Sequence, residues 1–186
     1  LLSGFKTDRL IADIVGAGDT NSPVAQKAAS KLKTMGPSAV SRVIDALANS
    51  TKQQTILFVE VLAELASPKS LKYFVEGLSD GNQRVVSGTA WALSSTRNLN
   101  PNDLIALLDD DAVSKSAVLE ILNVHRRKLN VRDLLTKSYE LDHNDKAAIF
   151  KLIDDVVDSD MVPELIARLE GKDPFVRMHL INILGK

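Results

Sequence analysis

Leu165 to Gly185 reads LIARLEGKDPFVRMHLINILG, and its arrangement of residue types returns in five earlier segments of the chain. Leu165, Ile166 and Leu169 are spaced for one face of a helix, and Gly171 interrupts it. Asp173 is an N-cap side chain, followed by Pro174 where a first helical turn tolerates proline. Val176, Leu180, Ile183 and Leu184 then mark the apolar stripe of a second helix. Two short antiparallel helices each carry one apolar face, and neither can bury it alone.

Working outward from Leu184, the corresponding apolar positions are Ile153, Leu122, Leu93, Leu62 and Leu32, at steps of 31, 31, 29, 31 and 30 residues. Eleven residues ahead of them stand Asp173, Asp142, Asp111, Asn82, Thr51 and Asn21, all side chains able to accept hydrogen bonds from the free N–H groups of a helix start. Fifteen residues ahead stand Leu169, Ser138, Leu107, Leu78, Leu47 and Ala17, which close the preceding helix in four of the six units, Ser138 and Ala17 being the departures. Where Ser138 departs from the apolar pattern, Leu134, Leu135 and Leu141 supply the face instead. A steady period of about 31 residues built from helix pairs predicts an all-α chain. The expected architecture is an α-solenoid of about six antiparallel pairs, each burying its face against the next.

The last unit, with Leu169, Asp173, Pro174, Val176 and Arg177 in order, resembles a short HEAT-type repeat of the kind found in phycobilin lyases. The resemblance covers nearly the whole chain. Arg177 is matched by Lys146 and Lys115 in the two preceding units, but by Val86, Thr55 and Ala25 in the earlier ones. It implies one HEAT-like domain over residues 1–186, wound as a right-handed superhelix. The start Leu1-Leu2-Ser3, without methionine or signal-peptide character, suggests a fragment of a longer array or multidomain protein.

Composition narrows the function. The 186 residues are 45% hydrophobic and only 4% aromatic, which suits thin layers of small helices. Lys and Arg number 23 against 24 Asp and Glu, so the broad basic footprint of a nucleic-acid binder is missing. There is no cysteine, which excludes disulfides and thiolate metal sites and fits a cytoplasmic setting. No apolar run reaches the roughly 18 to 20 residues a membrane helix needs. Glu60 and Glu64 interrupt the most apolar stretch, Ile56 to Ala66.

Motifs that could carry chemistry have simpler readings. Gly16-Ala17-Gly18 ends a helix, since Asn21 stands where a dinucleotide loop needs its third glycine. Asn49-Ser50-Thr51 fits a glycosylation acceptor but reads as the loop into the Thr51 cap. Asp109-Asp110-Asp111 and the basic run His125 to Lys128 suit a helix start and a helix end respectively. His125, His143 and His179 are scattered, and the His-Glu dipeptides of helical-repeat hydroxylases are absent. Trp91, the single tryptophan, reads as a packed residue with a possible ligand role.

No catalytic residue, metal site or cofactor is expected. The expectation is a non-enzymatic scaffold that binds another protein or peptide. The alternatives are an enzyme-associated helper resembling the HEAT-containing phycobilin lyases, or a HEAT-like DNA-binding or repair protein. The resemblance implies that the helices closed by Leu47, Leu78, Leu107, Ser138 and Leu169 line the concave face. Five residues before those positions stand Arg42, Tyr73, Asn102, Asp133 and Glu164, expected to face away from the core as a ladder of partner-binding side chains. The final helix, Phe175 to Leu184, is expected to leave an apolar face uncovered.

Overall fold

The computed structural model describes residues 2–186, with side chains from residue 4 onward. Among the described residues the chain is wholly helical, with eleven α-helices and five stretches of 3-10 helix and no strand. It divides into two compact units. One comprises the residues up to Asn100 together with Ala112–Ala117; the other comprises Pro101–Asp111 and Val118–Lys186.

The first unit contains α1 (Leu2–Gly16), α2 (Pro23–Lys33), α3 (Val40–Ala46), α4 (Lys52–Leu65), α5 (Leu71–Leu78) and α6 (Gln83–Ser95). They form two layers: α2, α4 and α6 pack in succession, and α1, α3 and α5 pack in succession behind them. Leu32, Leu62 and Leu93, the periodic positions of α2, α4 and α6, are all 0% exposed, as are Phe58, Phe74 and Leu78. Local chemistry sets where these helices begin. Thr51 forms a capping box with Gln54: the Gln54 N–H donates to Thr51 Oγ1 at 3.3 Å, and the Thr51 N–H donates to Gln54 Oε1 at 2.9 Å. Asn82 accepts from the Arg84 N–H at 3.0 Å. Gly18, at φ 70°, supplies the left-handed turn after α1.

α7 (Lys115–Val124) follows, and then α8 (Val131–Ser138), α9 (His143–Val156), α10 (Val162–Arg168) and α11 (Pro174–Leu184). In the second unit α8 packs on α9, α9 on α11 and α11 on α10, with the 3-10 stretch Pro101–Asp109 against α8. Leu122 and Ile153 are 0% exposed, whereas Leu184 is only half-buried. Asp142 caps α9 through the Asn144 and Asp145 N–H groups, both at 3.0 Å. Asp173 caps α11 in the same way.

Two of the six predicted caps are corrected. Asn21 does not cap α2; Ser22 does, accepting from the Ala25 N–H at 3.3 Å, because Pro23 occupies the first helical position and moves the start by one residue. Asp111 does not cap α7. Burial of Val113 and a bond from the Ser114 N–H to the Leu78 carbonyl hold residues 111–114 in a turn outside the helix, and Ser114 Oγ receives the Ala117 N–H. The segment Pro101–Asp109 is a 3-10 helix, and Leu108, not the expected Leu107, is its fully buried closing residue.

Candidate functional site

The five ladder positions fall in both units. In the first, Arg42 on α3 is exposed, but its guanidinium grips both oxygens of Asp8 on α1 at 2.8 and 2.9 Å. Tyr73 on α5 is half-buried with the Lys72 ammonium 4.7 Å from its ring centre. In the second, Asn102 donates to the Lys128 carbonyl and accepts from the Asn130 N–H, tying the 3-10 stretch to the entry of α8. Asp133 is exposed. Glu164 accepts from Arg132 Nε at 2.6 Å, which links α10 to α8. Arg42, Asn102 and Glu164 therefore bind elements about one repeat away, and their polar groups are engaged within the chain.

A different surface in the first unit is better equipped for a ligand. Lys52 and Thr55 on α4 and Arg84, Ser87, Gly88 and Trp91 on α6 line a groove of about 300 Å³, with Ser50 at its edge. Gly88 is buried where α6 meets Leu47. A Cβ there would lie 2.8 Å from Leu47 Cδ1, so the glycine lets α6 seat closely against Leu47. Trp91 is 47% exposed although it sits mid-helix between buried Ala90 and Ala92. The hydroxyls are already engaged: Ser50 and Thr55 lie 2.6 Å apart, and Ser87 Oγ accepts from Gln83. The first turns of α4 and α6 contain no acidic residue to offset Lys52 and Arg84.

The second unit holds buried charge and an aromatic cluster. Burial works against the charge of Lys137, yet its hydrogen bonds to Asp109 and Glu140 outweigh that and raise its pKa above the ordinary lysine value. Lys146, also buried, donates to Asp173 at 2.6 Å. That bond, followed by those from the Val176 and Phe175 N–H groups, lowers the Asp173 pKa below the usual carboxylate value. His143 stacks on Phe175 at 4.6 Å, and His179 packs against both Phe175 and Phe150. The sequence reading left these histidines scattered. The spacing of 36 residues between them carries no local signal, and only the meeting of α9 with α11 joins them. Among the described residues, no group of three or more His, Asp or Glu side chains is placed to hold a metal ion.

No helix among the described residues is long and apolar enough to cross a membrane. Compared with protein-family models, with curated proteins and with solved structures, the chain gives no significant match to any of them.

Proposed function

We propose that this chain is a non-enzymatic scaffold of HEAT-like helical repeats, working in the cytoplasm, that holds another protein by an extended segment. In this reading the helix pairs of each unit are successive turns of a right-handed α-solenoid, the arrangement that the repeat register and the HEAT resemblance imply. The groove beside Trp91 is its binding surface. One observation carries the proposal: the single tryptophan stands half-exposed in the lining of a groove, where an apolar side chain would have been expected to pack inward. A large ring held rigidly by a helix and left uncovered offers contact area at little entropic cost, which is why tryptophan dominates binding hot spots.

The test is panning a random peptide library against the chain. Binders should shift the emission of Trp91 and lose at least tenfold in affinity for Trp91→Ala, while the Arg42→Ala, Tyr73→Ala double variant retains them. Binders indifferent to Trp91 but lost in the double variant would move the site to the ladder positions.

A further inference from the structure

We infer that the groove beside Trp91 takes an acidic segment of a partner protein, extended, with an aromatic or large apolar residue three positions from a carboxylate. This rests on the groove being the binding surface, and it adds the chemistry of the occupant. Lys52 and Arg84 are the charged residues lining the groove, and no carboxylate lines it. Both are exposed, and neither takes part in an ion pair among the described residues. Other cations of the chain are satisfied internally: Arg42 by Asp8, Arg132 by Glu164, Lys137 by Asp109 and Lys146 by Asp173. With the hydroxyls of Ser50, Thr55 and Ser87 already bonded, the groups that await a partner are one ammonium, one guanidinium and one indole face.

Their spacing fixes the ligand. Arg84 and Trp91 are seven residues apart on α6, two turns, so their Cα atoms are separated by about 10 Å along the helix. In a polyproline II segment residues i and i+3 lie on the same face about 9 Å apart, which sets a carboxylate at Arg84 and a ring against Trp91. Lys52, on α4, adds a second positive charge to the lining of the same groove. Single-stranded nucleic acid could use the same three groups. The balance of 23 basic to 24 acidic residues gives no wider basic track for a phosphate backbone, which favours the peptide.

Because Trp91 is the only tryptophan, its fluorescence reads the groove directly. Four probes are titrated into the chain: an eight-residue peptide with a Glu-x-x-Phe core, its Glu→Gln counterpart, a peptide with the Phe moved one position further, and an oligothymidylate of eight nucleotides. The first should bind and weaken with salt, and the Gln and shifted peptides should bind at least tenfold more weakly. The Lys52→Glu, Arg84→Glu double variant should lose at least tenfold for the first peptide; Lys52→Gln, Arg84→Gln, milder at these exposed positions, should give the same loss if the reversal disturbs folding. Equal binding of the Glu and Gln peptides, or indifference to both double variants, overturns the acidic occupant while leaving Trp91 as a binding residue. Tighter binding of the oligonucleotide overturns it in favour of nucleic acid. Undiminished binding to Trp91→Ala, read by isothermal titration calorimetry because that variant has no tryptophan, overturns the groove itself, and with it the functional reading. Failure of the first peptide to bind at millimolar concentration overturns the inference alone if library binders still depend on Trp91.

Discussion

At the scale of single residues, Asp173 does two jobs. It caps α11 and receives the buried Lys146, so its ionised form is favoured in the folded chain and its pKa is lowered. The stabilisation is complete above the ordinary carboxylate pKa of about 3.9 and is lost as pH falls through the lower folded-state value. Lys146→Met removes the charge while keeping a side chain of similar length in a buried position. The carboxyl titration of Asp173, followed by NMR, should then move back toward the ordinary value, and the acid limb of the stability curve should flatten. A titration unaltered by Lys146→Met would mean that the backbone N–H groups alone set the shift. Caps give a second prediction. Asp142→Ala should cost about 1 kcal/mol in denaturant unfolding, and at α7 the cap loss should follow Ser114→Ala, since Ser114 receives the Ala117 N–H. Equal stability of wild type and both variants would show that neither bond contributes.

Between elements, close approach decides which residues are tolerated. A Cβ on Gly77 of α5 would lie 2.7 Å from Thr89 Oγ1 and 3.0 Å from Ile44 Cγ2. Thr89 is fully buried, β-branched and therefore stiff, and its hydroxyl has no hydrogen-bond partner. Gly77→Ala gains about 1 kcal/mol of helix propensity, but overpacking of a site this tight costs about 1–3 kcal/mol, so a net loss is expected. Thr89→Ala vacates the space the new methyl needs. The double variant should therefore be more stable than the sum of the two single changes, by at least 0.5 kcal/mol on the scale typical of contacting residues. Strict additivity in thermal unfolding would show that α5 and α6 separate instead. Contacts of this kind explain the uneven legibility of the sequence. The period and four of the six caps could be read because a cap acts within three residues and an apolar position repeats with its unit. The engagement of Arg42 with Asp8, 34 residues earlier, could not, because register places a side chain on a face without showing what stands opposite. Trp91 was assigned to the packed side for a related reason: an apolar residue beside Ala90, Ala92 and Leu93 looks like core until Gly88 and Leu47 set how closely α6 seats.

For the whole molecule, the distribution of uncovered apolar surface matters more than its amount. Leu32, Leu62, Leu93, Leu122 and Ile153 are 0% exposed, but in the last helix pair Ile166, Met178 and Ile181 are 53%, 47% and 59% exposed. The sixth periodic position, Leu184, is only half-buried. Met178 and Ile181 are three residues apart on α11 and share a face, a patch that favours association in a chain whose net charge of −1 gives little repulsion. Met178→Glu with Ile181→Lys replaces that patch by an ion pair in the favourable order and leaves the net charge unchanged, so any effect belongs to the patch. Sedimentation velocity should show concentration-dependent association of the wild-type chain and a monomer for the double variant, with thermal midpoints nearly equal. Leu180→Ala, on the covered side of the same helix and 0% exposed, should instead cost about 2–5 kcal/mol. A wild-type chain that stays monomeric at its highest soluble concentration would show that this face of α11, though apolar, is too small to recruit a second copy.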